Sequence, residues 1–325
     1  MNTDFIFKTT PHNFFQHSLA IFNYQKNKVK TYQDWLLALN KLSFIPSSIE
    51  QFCFLPISFF KSHPIYNNDF SIDDKKYFLS SGTSALSRSK HWLIDETIYQ
   101  QSILEHIEKI IPRIKEKTIL ALLPSYIENK ESSLIYMVDY LMSLNFSLSH
   151  QYYKTNYQKL HQDIHHLKNE KKPILIFTVT YALVEFCKVY AGNYDGIQLI
   201  NTGGTKNIDI GMNLEEIESF TKKHLAGLEY IEEYSMTELF SQAYTTSGSR
   251  YFCPSWMKVL VADIENPLSI KSSGRGQLYI IDLANINTCS FIATEDLAEV
   301  YEDGSFTILG RLQGAELRGC NQLVL

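Results

Sequence analysis

From Thr118 onward the chain alternates short apolar runs with longer amphipathic segments. "TILALLP" reads as a strand, "SSLIYMVDYLMSL" as a helix, "PILIFTVT" as a strand, "YALVEFCKVYA" as a helix and "IQLINTGGT" as a strand that ends in glycines. "NLEEIESFTKKHL" then predicts a helix, and "EYIEEYSMTELFSQAY" a strand that runs into another helix. Strands alternating with helices of this length predict an α/β domain with mainly parallel strands. Beyond Gly248 the pattern changes to "WMKVLVADI", "GQLYIIDL" and "AEVYEDGSFTILG", a strand-rich portion with a hairpin signal at Asp303-Gly304. This end predicts a small antiparallel sheet or barrel attached to the α/β core.

Upstream, Asp95 is placed to cap a helix whose apolar stripe is Ile98, Ile103, Leu104, Ile107 and Ile111, limited by Pro112. The first 75 residues are aromatic-rich; "TYQDWLLALNKL" predicts a helix and "FCFLPISFFKS" an apolar segment docked on a larger body. We read residues 1–75 as a cap packed on a core of residues 76–325, without a domain boundary between them. No internal repeat and no low-complexity linker interrupts the chain.

Composition narrows the class. With 325 residues, 45% hydrophobic and 20% charged, the chain can bury a substantial core. Thirty basic residues against 35 acidic give a net charge of −5 with no basic block, which argues against nucleic acid as a partner. The N-terminus lacks the pattern of a secretory signal and no run of about 18 apolar residues occurs, so a cytoplasmic location without a membrane span is expected. Five scattered cysteines, Cys53, Cys187, Cys253, Cys289 and Cys320, form no CxxC pair that would suggest zinc or a redox couple.

Three loops that follow apparent strands can carry chemistry, because ligands of open α/β sheets bind at the carboxyl ends of strands. In "YFLSSGTSALSRSKHWLID" the hydroxyls and N–H groups of Ser80, Ser81, Thr83 and Ser84, with Gly82 for close approach, could surround an oxyanion, and Arg88 or Lys90 could add charge. The same composition also suits an ordinary surface loop, and the spacing is not that of a Walker A motif. "NTGGTKN" is either a tight turn or a ligand loop around Gly203 and Gly204. In "EEYSMTELFSQ", Glu238 could coordinate Mg²⁺ or serve as a favourable acid in a first helical turn. "GRGQLY" lacks the third glycine of a dinucleotide fingerprint and reads as a hairpin turn. His91 is an orienting, phosphate-contacting or structural residue.

The succession "SSGTS", "NTGG", "EYSMTE", "TEDLAEV" and "LGRLQGAELRGC" resembles the order of motifs in adenylate-forming enzymes, and more narrowly in LuxE-type acyl-protein synthetases, relatives of the phenylacetate-CoA ligases. The resemblance runs from about residue 50 to the C-terminus. It implies the large domain of that superfamily, with mainly parallel sheets sandwiched by helices. The chain stops shortly after "RGC", so the small C-terminal lid domain of the superfamily is expected to be missing. Two positions depart from the family pattern: Ala85 stands in place of the glycine closing the first loop, and Ser235 in place of the glycine after the aromatic residue.

By position, the resemblance implies that Ser80, Ser81, Gly82, Thr83 and Ser84 grip the β- and γ-phosphates of ATP and that Gly203 and Gly204 lie along the adenine. Tyr234 supplies an aromatic near the base, Thr237 a contact to the α-phosphate, Glu238 a ligand for Mg²⁺, Asp296 the ribose acceptor and Arg311 a hold on sugar and phosphate. Cys320 would receive the acyl group as a thioester, and Arg318 two positions earlier would favour the thiolate. The implied activity is ATP-dependent activation of a fatty or related carboxylic acid and transfer to a protein thiol, with a reductase or acyl-transfer protein as partner. An acyl-CoA ligase, and a non-catalytic or acyltransferase subunit that has lost adenylation, are the alternatives.

Overall fold

The computed structural model of the protein describes residues 3–80, 88–123, 131–203, 211–245 and 248–312. Helices α1 (Phe14–Lys28) and α2 (Lys30–Ala38) lead to the short strand β1 (Leu55–Pro56) and helix α3 (Phe59–Ser62). Strands β2 (Tyr77–Leu79) and β3 (Lys90–Trp92) form a separate antiparallel pair, with Tyr77 opposite Trp92 and Leu79 opposite Lys90. Then come α4 (Glu96–Ile110), β4 (Thr118–Leu122), α5 (Ser133–Ser143), β5 (Gln151–Tyr152), α6 (Tyr157–Asn169), β6 (Ile174–Val179), α7 (Thr180–Val189) and β7 (Gly192–Asn193). They are followed by β8 (Ile197–Thr202), α8 (Leu214–His224), β9 (Leu225–Ala226), β10 (Glu229–Tyr234), β11 (Ala243–Thr245), β12 (Tyr251–Phe252) and β13 (Met257–Ala262). Strands β14 (Ile270–Lys271), β15 (Gly274–Asp282), β16 (Phe291–Val300) and β17 (Phe306–Arg311) complete the described chain.

The expected α/β fold with an antiparallel end is present, and the two parts are one hydrogen-bonded sheet. Its order is β14-β13-β15-β16-β17-β12-β11-β10-β8-β6-β4-β5, with β1 added in parallel to β16. Strands β5, β4, β6, β8 and β10 run parallel, whereas β10 pairs antiparallel with β11 on its other side. β10 is therefore the seam between the two halves. β4 and β6 are buried at every position, as expected for parallel strands covered on both faces, and the second half of β16 alternates between buried and partly buried residues.

Local signals match the elements they predict. Asp95 caps α4, its carboxylate accepting from Thr97 N at 2.9 Å. Asn213 and Glu216 close a capping box at α8. The Asp303-Gly304 signal lies in the turn between β16 and β17, where Gly304 adopts φ +80° and Asp303 accepts from Ser305 N at 2.9 Å. "GRGQLY", by contrast, is strand and not turn: it opens β15 and pairs with β16.

The N-terminal residues share the core of the antiparallel half. Phe22 and Phe52 pack on Phe291 of β16, and buried Gln25 donates to the carbonyls of Asn285 and Ile286 while accepting from Ser290 N. Among the described residues no helix is long and apolar enough to cross a membrane.

Candidate active site

The carboxyl ends of β8 and β10 carry the candidate residues. Gly203 follows β8 and is buried; Tyr234 ends β10, one position beyond Glu233, which is registered against Thr202. Strand alternation sends Tyr234 toward the antiparallel half, where its ring meets Phe306 edge-on at 5.3 Å and its hydroxyl donates to Asp296 Oδ2 at 2.8 Å. Asp296 of β16 is the register partner of Arg311 on β17, and Arg311 Nε lies 3.3 Å from Asp296 Oδ1. Arg311 Nη2 also donates to Glu295 Oε2 at 2.7 Å. The fold thus joins buried Tyr234 and Asp296 to half-buried Arg311 in one chain of contacts, with half-buried Glu295 an additional member that carried no signal in the sequence.

The segment after Tyr234 is not the expected helix. Residues 237 and 238 form a turn and the chain returns as β11, antiparallel to β10. The reason is tertiary: Asp282 Oδ2 accepts from Phe240 N (3.0 Å) and Ser241 N (2.9 Å), Asn285 Oδ1 accepts from Phe240 N (3.0 Å), and Asn285 Nδ2 donates to the Glu238 carbonyl (2.8 Å). Backbone groups that a helix would pair four residues apart are taken by the side chains of Asp282, the last residue of β15, and Asn285, three positions beyond it, so Glu238 is not a first-turn acid of a helix. It is buried, as part of a turn held from outside.

His91 supplies the third support. Its Nδ1 lies 2.8 Å from the Thr237 carbonyl and its Nε2 2.8 Å from Thr288 Oγ1, and its ring stacks on Phe240 with centroids 4.4 Å apart. A carbonyl only accepts, so Nδ1 carries the proton and Nε2 accepts from Thr288. Burial pulls the His91 pKa down to about 4, partly opposed by the Thr237 carbonyl and Glu238, so the ring is neutral. His91 is an orienting residue that ties the β2–β3 pair to the turn bearing Thr237 and Glu238.

At the neck of that pair Ser80 N donates to the Ser89 carbonyl (3.0 Å) and Ser89 N to Ser80 Oγ (2.8 Å), so Ser80 braces the loop. Lys90 is held between the rings of Tyr77 and Trp92, 3.6 and 4.0 Å from their centroids. Ser81, Gly82, Thr83, Ser84, Gly204 and Cys320 lie outside the described residues.

Two adjacent buried acids of β10 were not singled out in the sequence. Glu232 accepts from the Tyr230 hydroxyl and from Asn201 Nδ2 (2.9 Å); burial, and next the neighbouring acids Glu233 and Glu218, push its pKa up to about 8 against those hydrogen bonds. Glu233 projects from the opposite face and accepts from Ser235 Oγ (2.7 Å), Thr202 Oγ1 (3.0 Å) and the Tyr244 hydroxyl (3.1 Å); burial raises its pKa against these three donors.

Among the described residues no group of three His, Cys, Asp or Glu could hold a metal ion. Mg²⁺ is commonly bound through one or two carboxylates and substrate phosphates, and Glu238 is the carboxylate of this turn.

The chain matches no protein-family model and no curated protein sequence. Among solved structures it is similar to a 2-hydroxyisobutyryl-CoA ligase in the postadenylation state in complex with R3-HIB-AMP, with a TM-score of 0.64 and 13% identity over 95% of this chain and 69% of that one. It is similar to ATP-bound MatB from Rhodopseudomonas palustris (TM-score 0.55, 15% identity, 75% of this chain and 50% of that one). A luciferase-like enzyme from the nonluminescent mealworm Zophobas morio gives a TM-score of 0.51 and 14% identity over 78% of this chain and 63% of that one. The chain spans about half the length of the ATP-bound MatB structures it resembles. At such identities the likeness is one of fold, the fold of adenylate-forming enzymes.

Proposed function

We propose that this chain activates a carboxylic acid with ATP as an acyl-adenylate and passes the acyl group to a thiol. The observation that carries the reading is the junction of Tyr234, Asp296 and Arg311, three residues from distant strands converging beside the turn that bears Thr237 and Glu238. A fold shared with ATP-bound MatB and with a CoA ligase in the postadenylation state in complex with R3-HIB-AMP supports it.

A carboxylate is a poor acyl donor because its leaving group would be oxide. In the proposed reaction a carboxylate oxygen of the acid attacks the α-phosphorus of ATP, the bond from that phosphorus to the bridging oxygen breaks, and pyrophosphate leaves. The step needs alignment and charge neutralisation more than a strong base. Asp296 accepts the ribose hydroxyls and Arg311 steadies Asp296 and the sugar–phosphate side. The Thr237 hydroxyl meets the α-phosphate, while His91 and Asn285 fix the backbone from which it projects. Ser80 to Ser84 and Gly203 with Gly204 are the proposed triphosphate and adenine loops. Glu238 would hold Mg²⁺, which would supply neutralisation of the phosphate charge.

A thiol then attacks the acyl carbon, its proton departs to solvent, and AMP leaves with the former carboxylate oxygen. Cys320 is our candidate thiol, which makes the chain an acyl-protein synthetase of the LuxE type acting on a fatty or related acid, with an acyl-accepting or reductase partner. Coenzyme A as acceptor is the second reading, favoured by the likeness to a CoA ligase.

Exchange of labelled pyrophosphate into ATP across a panel of fatty, aromatic and amino acids tests the first step, and absence of acid-dependent exchange throughout the panel contradicts it. Hydroxylamine-sensitive acyl label on the wild type that is missing from Cys320→Ser identifies the protein thiol. Acyl-CoA formation indifferent to that substitution identifies coenzyme A.

A further inference from the structure

A cleft of about 520 Å³ lies where α2 and the segment before β1 meet β14, β15 and β16, and none of its lining residues belongs to the proposed nucleotide site. Its size falls within the range of about 300–1,000 Å³ of small-molecule sites, which combine apolar and aromatic walls with a few placed polar groups.

The walls are aromatic and fixed in place. Trp35 of α2, Phe52 and Phe54 of the segment before β1, and Tyr279 of β15 all line the cleft. Trp35 Nε1 donates to the Phe54 carbonyl at 3.0 Å and the Tyr279 hydroxyl to the Pro267 carbonyl at 3.3 Å, so the polar tip of each ring is taken by backbone. The Phe54 and Tyr279 rings pack on each other with centroids 4.9 Å apart. What these side chains offer a ligand is therefore apolar surface that needs little further ordering on binding. Leu268, which also borders the cleft, is 85% exposed and extends that surface outward.

Two charged side chains border the cleft, Lys41 and Glu50. Among the described residues the Lys41 ammonium has no carboxylate partner, and it rests over the Phe44 ring, 4.4 Å from the centroid. Cys53, a half-buried thiol of the same lining, reports which charge reaches inside: burial pushes its pKa up, and Lys41 opposes that push. We infer that this cleft is a ligand site separate from the nucleotide, binding a small apolar carboxylic acid with its chain against Phe52, Phe54 and Tyr279 and its carboxylate at Lys41. An acid held here is bound and not activated, since the residues proposed to meet ATP lie elsewhere.

Calorimetric titration of octanoate, 1-octanol and octylamine into the full chain compares three head groups on one chain length. Octanoate is expected to bind saturably, at least about threefold more tightly than the other two, and to slow alkylation of Cys53 by iodoacetamide, followed by mass spectrometry of its peptide. Lys41→Gln, at an exposed position, should weaken octanoate about threefold to fivefold and leave octanol unchanged. Leu268→Glu, equally safe for the fold, should weaken octanoate more than octylamine. Octanoate binding that leaves Cys53 unprotected and is indifferent to Lys41→Gln belongs elsewhere on the chain and overturns the inference. Octanol or octylamine binding as tightly as octanoate overturns it as well, as does no binding at all. Each of these results leaves the adenylation reading standing, because pyrophosphate exchange tests that reading without involving this cleft.

Discussion

The Tyr234 hydroxyl donates to Asp296 Oδ2 at 2.8 Å, joining the last residue of the central parallel strand to the antiparallel half of the same sheet. The bond is charge-assisted and its partners are buried. Tyr234→Phe is expected to cost about 1–2 kcal/mol of stability, read by urea unfolding. It should raise the KM for ATP severalfold with a smaller change in kcat. Asp296→Asn removes the ribose acceptor and weakens the hold on Arg311, so its loss of kcat/KM for ATP should exceed that of Tyr234→Phe. Equal effects of the two substitutions would speak against a ribose role for Asp296.

Asn285 bonds the Phe240 N–H and the carbonyls of Glu238 and Cys289. Asn285→Ala leaves the two carbonyls without this donor, while Phe240 N keeps Asp282. The expected destabilisation is about 2–4 kcal/mol, together with a fall in kcat larger than the change in KM for the acid, because the turn carrying Thr237 loosens. Urea unfolding and steady-state kinetics of the same preparation separate the two effects.

The dependence of stability on pH is shaped by four strongly shifted buried groups. One of them, Asp282, is pushed by burial up to about 6 from 3.8, so its contribution is complete below 3.8, is lost as the pH rises through 6 and partly offsets that of the histidines. His91 and His106 titrate at about 4 when folded against 6.5 when unfolded, so the unfolded chain binds protons first as the pH falls. Their contribution is complete above 6.5 and is lost as the pH drops toward 4, on the order of 3 kcal/mol for each ring. Glu232 is shifted the other way, up to about 8 from 4.5, so its contribution is complete below 4.5 and is lost as the pH rises through 8. The melting temperature should therefore fall on both sides of weakly acidic pH, and Glu232→Gln should flatten the alkaline limb while steepening the rise between pH 4.5 and 6.5.

Gly276 is required by close approach. A Cβ there would lie 2.1 Å from the Ala262 carbonyl oxygen of the neighbouring strand β13. Gly276→Ala should cost about 1–3 kcal/mol through displacement of β13, with nucleotide binding changed little. A melting curve alongside an ATP titration checks both parts.

Much of this architecture was readable from hydrophobic period and capping alone. The strands β4 and β6, the Asp95 cap and the helix after Asn213 are local, and local chemistry decides them. That Tyr234 and Asp296, 62 residues apart, matter together was implied only by the order of motifs that resembles a known family, and the hydrogen bond between them had no signal in the sequence. The turn at Thr237 and Glu238 was misread as helix because its determinants, Asp282 and Asn285, lie more than forty positions downstream and leave no periodic trace. Glu295, Glu232 and Glu233 were likewise invisible: an acid in a strand carries no mark of whether it will meet water, an arginine or a cluster of hydroxyls.

Oxygen tracing tests acyl-adenylate formation most directly. An acid that supports exchange is supplied with ¹⁸O in its carboxylate, together with ATP, Mg²⁺ and a thiol acceptor, and the released AMP is analysed by mass spectrometry. One ¹⁸O per AMP is expected, since the carboxylate oxygen that attacks the α-phosphorus departs with AMP when the thiol takes the acyl group. AMP free of ¹⁸O, or ADP and phosphate in its place, would contradict the account.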